Sequence, residues 1–125
     1  MSRDIAAILW IKALHDYNAA NKLLSIDPEI VGDQVFGLLL QQSVEKAIKS
    51  TLLVKGRKYE HVHDIGMLLD KLSERTAIPS RFGRLRNLTM YATVEDESPL
   101  SLHMIDRQEI IVLVREFLDL LEGAR

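Results

Sequence analysis

From Val35 to Leu52 the apolar residues Val35, Phe36, Leu39, Leu40, Val44, Ala47, Ile48 and Leu52 recur at intervals of three or four. Side chains three and four apart share one face of an α-helix, whereas a strand would alternate its faces residue by residue. The segment is therefore predicted to be a helix that settles after Gly32 and runs to Lys55. Gly56 stands where a left-handed residue would end it.

The same reading extends along the chain. A first amphipathic helix is predicted over residues 3–24, with Ile5, Leu9, Lys12, Asp16 and Ala20 on successive turns and Ile8, Ile11, Leu14, Leu23 and Leu24 widening its apolar side. Ser25-Ile26-Asp27-Pro28 breaks it, because proline disfavours a helical residue before itself. After the polar stretch RKYEHVHD, Asp64 or His63 caps a third helix carrying Ile65, Leu68, Leu69 and Leu72, which Ile78-Pro79 ends. A fourth helix is predicted over 80–92, with Phe82, Leu85, Leu88 and Tyr91 inward and Arg81, Arg84 and Arg86 elsewhere. Residues 93–104 have turn composition. Asp106 and Glu109 have the spacing of a capping box, opening a last helix to Glu122 with Gly123 as its cap. Five helices and no convincing strand give an all-α class and one domain over residues 1–125.

Composition limits what such a domain can do. Hydrophobic residues make up 47% and charged residues 27% of the 125, the balance of a chain that folds around one core. The formal charge of -2 offers no general attraction to nucleic acid, so any contact with RNA must come from a local patch. There is no cysteine, and hence no disulfide, thiolate nucleophile or thiolate-bound zinc. Charges at Arg3, Asp4, Lys12 and Asp16 interrupt the first residues, unlike a signal peptide, and no run of about 18 apolar residues suits a membrane span. A cytoplasmic protein without a membrane partner is expected.

Two stretches carry more than periodicity. WIKALHDYNAANKLL at 10–24 presents Ala13, Asp16, Ala20 and the Leu23-Leu24 pair, and FGLLLQQSVEKAIKSTLLVKG at 36–56 presents Gln42, Glu45, Lys46 and Lys49. HDIGMLLDKL follows at 63–72, opening on His63-Asp64-Ile65. In order and spacing these resemble the HEPN family, a nucleotide- and RNA-associated helical domain, over roughly residues 4–122. The resemblance implies an up-down bundle, pairing of two copies as a homodimer, and a nucleotidyltransferase partner in a toxin–antitoxin-like system. The high apolar content agrees with a dimer, since five helices of this size leave a face to cover.

The resemblance also implies where chemistry would sit. Active HEPN ribonucleases carry Arg-Asn followed after three residues by His, and the matching run here is Arg86-Asn87-Leu88-Thr89-Met90-Tyr91. Arginine would hold a phosphate and histidine would move a proton near neutral pH. A phenol with an ordinary pKa near 10 is a poor substitute. The function expected is therefore binding of a nucleotidyltransferase, a nucleotide or RNA by a non-catalytic or weakened HEPN-like dimer. The alternative is a metal-independent RNA endonuclease with a composite site at the dimer interface, using Arg86 and Asn87 with a histidine from elsewhere, His63 or His103. Arg57, His61 and His63 form a second cluster, read as a capping histidine beside a basic loop. His61 and His63 alone do not make a metal site. Nothing points to a cofactor, and Glu45, Lys46 and Lys49 read as a solvated helix side with an i, i+4 pair.

Overall fold

Alanines decide how the first two helices meet. The computed structural model describes residues 2–59, 61–93 and 106–125, and in it α1 (Ser2–Lys22) lies along α2 (Asp33–Val54). Ala6, Ala13 and Ala20 fall seven residues apart on α1 and are buried, with Tyr17 between the last two. Side chains this small let the backbones approach closely enough for serines of α2 to reach across. Ser43 Oγ donates to the Ala13 carbonyl at 2.7 Å and Ser50 Oγ to that of Ala6 at 2.6 Å. The pairs rise along one helix as they fall along the other, so the two are antiparallel.

This corrects the predicted face of α1. Ile5, Ile8 and Ile11 are 49%, 53% and 51% exposed, and the alanine edge faces the core instead. Branched side chains in the contact would hold the helices too far apart for the serine bonds. Val35, predicted inward, is likewise exposed.

α2 is the central post. Around it stand α3 (Ile65–Ser73), a 3₁₀ segment (Ser80–Thr89) continued by one α-helical turn, α4 (Met90–Thr93), and α5 (Arg107–Ala124). Phe36, Leu40, Ile48 and Leu52 of α2 are buried with Leu72, Phe82 and Phe117, the last two rings packing at 5.3 Å between centroids. No strand occurs among the described residues, and none of their helices is long and apolar enough to cross a membrane.

The helix ends follow the sequence in most places. Gly56 has φ of 71°, its N–H donates to the Leu53 carbonyl and that of Arg57 donates to Leu52, so two of the orphan carbonyls of α2 are satisfied. Asp64 accepts from the Met67 N–H and Asp106 from the Glu109 N–H, each at 3.1 Å. Gly123 does not cap α5, which continues through it to Ala124.

The predicted fourth α-helix is a 3₁₀ helix over most of its length. Its buried residues Phe82, Leu85, Leu88 and Tyr91 are spaced by three. At 3.0 residues per turn they line up on one edge, whereas at 3.6 they would wind away from it. Residues 94–105, with His103, lie outside the described residues.

Three further polar side chains are buried in ion pairs. Arg107 is buried, its Nε donating to Asp33 at 2.7 Å and its Nη2 to the Val31 carbonyl at 2.7 Å, so α5 is tied to the start of α2. Glu45 and Lys49, predicted solvated, are each only 8% exposed; their ion pair of 2.9 Å does form, but beneath the surface.

Candidate functional site

The three-residue spacing that turns Leu85, Leu88 and Tyr91 inward leaves Arg86 and Asn87 on the outside of the 3₁₀ segment. Arg86 lies over the first turn of α3. Its Nη1 donates to the Gly66 carbonyl at 3.2 Å and its Nη2 to Asp70 at 2.8 Å. The Asp70 hydrogen bond, with the charges of Asp70 and Asp64, raises the pKa of the guanidinium above its ordinary value, so it is a fixed cation. Both partners of the Arg86–Asp70 pair are substantially exposed, and such pairs contribute about 0–1 kcal/mol. A phosphate arriving from solvent can therefore replace Asp70 at small cost.

Tyr91 does not share that surface. It is 6% exposed, its ring lies on Gly37, and its backbone carbonyl accepts from Gln34 Nε2 at 3.1 Å. Burial, with Asp33 adding, pushes the phenol pKa above its ordinary value. A group that holds its proton more tightly than free tyrosine cannot act as a base near neutral pH.

His63 stands at the entrance to α3, one residue before the capping Asp64. Its Nδ1 meets Glu45 Oε1 at 2.9 Å, and its backbone carbonyl accepts from Gln41 Nε2 at 3.2 Å, so ring and chain are both anchored on α2. The imidazole side chain is 69% exposed while the carboxylate beneath it is 10% exposed. Glu45 also accepts from Gln41 Nε2 at 2.8 Å and from Lys49 Nζ at 2.9 Å. Burial pushes its carboxyl pKa up, but the hydrogen bonds from Lys49, His63 and Gln41 outweigh that and hold it below the usual carboxylate value. Beside the ring is a cleft of about 450 Å³ lined by Leu38, Gln41, Gln42, Glu45, Lys46 and Ala92. Lys46 is itself paired with Asp16 of α1 at 2.6 Å.

The structure thus separates the residues singled out in sequence. Arg86 and Asn87 are outside, Tyr91 is inside, and His63 lies against α2, bonded to Glu45, while Arg86 lies on Gly66 and Asp70 of α3. Arg57 does not join His63: it pairs with Glu74 at 2.8 Å, and His61 meets the edge of Tyr59. No group of three or more ligating side chains suited to a metal occurs among the described residues. Sequence reading missed Glu45 as the partner of His63. The available signal was the i, i+4 run Gln41, Glu45, Lys49, three polar residues in line along one side of a long helix.

A family model described as HEPN domain matches residues 6–124. No curated protein and no solved structure matches the chain.

Proposed function

The chain belongs to the HEPN family, and on that premise we propose that it binds a phosphate-bearing ligand, a nucleotide or an RNA, through Arg86 and Asn87, and that the Arg86-Asn87-Tyr91 motif does not itself cleave. The carrying observation is the split within the motif: Arg86 is exposed in a pair that a phosphate can displace, while Tyr91 is buried with its pKa raised. Charge-assisted hydrogen bonds from a guanidinium suit phosphate oxygens, and the fork already oriented by the Gly66 carbonyl loses less freedom on binding. Pairing of two copies would bring two such patches together. A nucleotidyltransferase partner in a toxin–antitoxin-like arrangement, and a cytoplasmic setting, belong to the same proposal and rest on family membership alone.

The test is fluorescence anisotropy with a labelled single-stranded RNA and, separately, with ATP as competitor. Arg86→Ala should weaken RNA binding about 10-fold or more, the worth of one charge-assisted hydrogen bond, and Tyr91→Phe should leave it unchanged. Equal affinity of wild type and Arg86→Ala sinks the reading. Sedimentation at micromolar concentration tests the dimer, which a strictly monomeric species contradicts.

A further inference from the structure

The 3₁₀ segment sorts its side chains onto three edges, because a period of three returns every third residue to the same side. Phe82, Leu85 and Leu88 form the buried edge. Arg86 and Thr89 belong to a second edge that lies on α3, where Arg86 donates to the Gly66 carbonyl and Thr89 Oγ1 accepts from the Ile65 N–H. The third edge, Arg81, Arg84 and Asn87, is exposed along its whole length. In an α-helix these three would wind around the axis. Here they stand in line, about 6 Å apart from turn to turn, and Asn87 of the motif continues a row of two arginines outside it.

That row is one wall of a groove of about 560 Å³ between the 3₁₀ segment and the first half of α5. The Arg81 guanidinium lies 4.2 Å over the ring centroid of Phe82 and donates to Glu116 at 2.7 Å, so its fork is already oriented. Arg84 pairs with Glu109. Both pairs are exposed, and each contributes about 0–1 kcal/mol. The facing wall carries Asp106, Glu109 and Glu116, with Val112, 54% exposed, between the two glutamates on α5. A polyanion is attracted to the arginine wall and repelled by the other, so the groove dictates along which side it runs.

We infer that this groove holds a single strand of RNA: the phosphate at Arg86 and Asn87 is followed by phosphates on Arg84 and then Arg81, with the apolar faces of the nucleotides over Val112. The inference rests on the reading that Arg86 binds a phosphate-bearing ligand, and it narrows that ligand to a polynucleotide. One sugar–phosphate repeat is comparable in length to one turn of the segment. Each guanidinium presents paired donors that suit the oxygens of a phosphate. A strand neutralised at successive phosphates also releases counterions. The row thus supplies the local patch that a chain of net charge -2 requires for such a ligand.

The experiment uses the full chain and compares a labelled oligouridylate with uridine monophosphate, which has one phosphate. Arg84→Ala should weaken the oligonucleotide about 5- to 10-fold, the worth of one hydrogen bond involving a charged group, and leave the mononucleotide unchanged. Its slope of log affinity against log salt should fall by about 0.7, one phosphate contact on a single strand. Arg86→Ala should weaken both ligands. Glu109→Gln, which frees Arg84, should tighten the oligonucleotide only. Arg81 also covers Phe82, so Arg84→Ala and Glu109→Gln, both at exposed positions, carry the decision, with thermal unfolding as the check that each variant folds. An Arg84→Ala variant that binds the oligonucleotide as wild type does, or that weakens both ligands equally, overturns the inference and leaves the Arg86 reading standing. Displacement of the RNA by polyglutamate as readily as by unlabelled oligouridylate overturns its assignment to a sugar–phosphate strand. Failure of wild type to bind either ligand overturns both readings.

Discussion

The ring of Tyr91 rests directly on the backbone of Gly37: a β-carbon built at position 37 would fall 2.6–2.7 Å from three of its ring carbons. The motif tyrosine is held by α2 in a slot that only a residue without a side chain leaves open. Gly37→Ala should therefore destabilise the fold by about 1–3 kcal/mol, the usual cost of overpacking a filled core. Urea unfolding reads this directly, and an unchanged midpoint would mean the ring has room to move.

The same slot sets the outcome of restoring the missing histidine. Tyr91→His places an imidazole beneath the surface, away from the exposed Arg86, so it should lower stability and give no increase in RNA cleavage. A rise in cleavage that is lost again in the Arg86→Ala background would show that position 91 can reach the surface.

The α1 face makes a paired prediction. Ala13→Leu enlarges a fully buried contact and should cost about 1–3 kcal/mol, while Ile11→Ala, at a half-exposed position, should cost well under that. Thermal unfolding of the two variants compares them. The reverse order would place the isoleucine side of α1 in the core.

Glu45 couples stability to pH. Its folded pKa lies below the ordinary 4.5 of the carboxyl, so the native state binds its proton less readily than the unfolded chain. The resulting stability is fully present above that ordinary 4.5 and is lost as the pH falls through the lower folded value. Glu45→Gln should remove this component of the acid limb. It should also cost about 3 kcal/mol at neutral pH by leaving Lys49 buried without its counter-charge, and Glu45→Gln with Lys49→Met should recover much of that. Denaturant unfolding across pH 2–7, in rough steps, measures both.

How much of this was legible in sequence depended on whether a residue's role was local. Asp64 and Asp106 as caps, and Gly56 as the end of α2, act on groups within three or four residues, and their types alone predict them. The inward face of α1 was not legible, because alanine is chosen there for what Ser43 and Ser50 do thirty or more residues away. The 3₁₀ segment could have been read from its strict spacing of three, which suits a tighter helix than the α period assumed for it. In the candidate site, the outward position of Arg86 follows from the apolar residues flanking it. The tie between His63 and Glu45 does not, since it joins a loop to a helix face that local pattern marks as solvated.

The two serine contacts between α1 and α2 also govern how that helix pair can move. Ser43 and Ser50 stand seven residues apart, as do their acceptors Ala13 and Ala6, a separation of about 10 Å along each axis. Sliding α1 by one turn, about 5.4 Å, would bring Trp10 or Tyr17 to the place of Ala13 and force the backbones apart. The pair acts as a two-toothed key with one seated position. Any rearrangement of α1 must lift it off α2 and reseat it, which makes displacement of this helix an all-or-none event and not a graded slide.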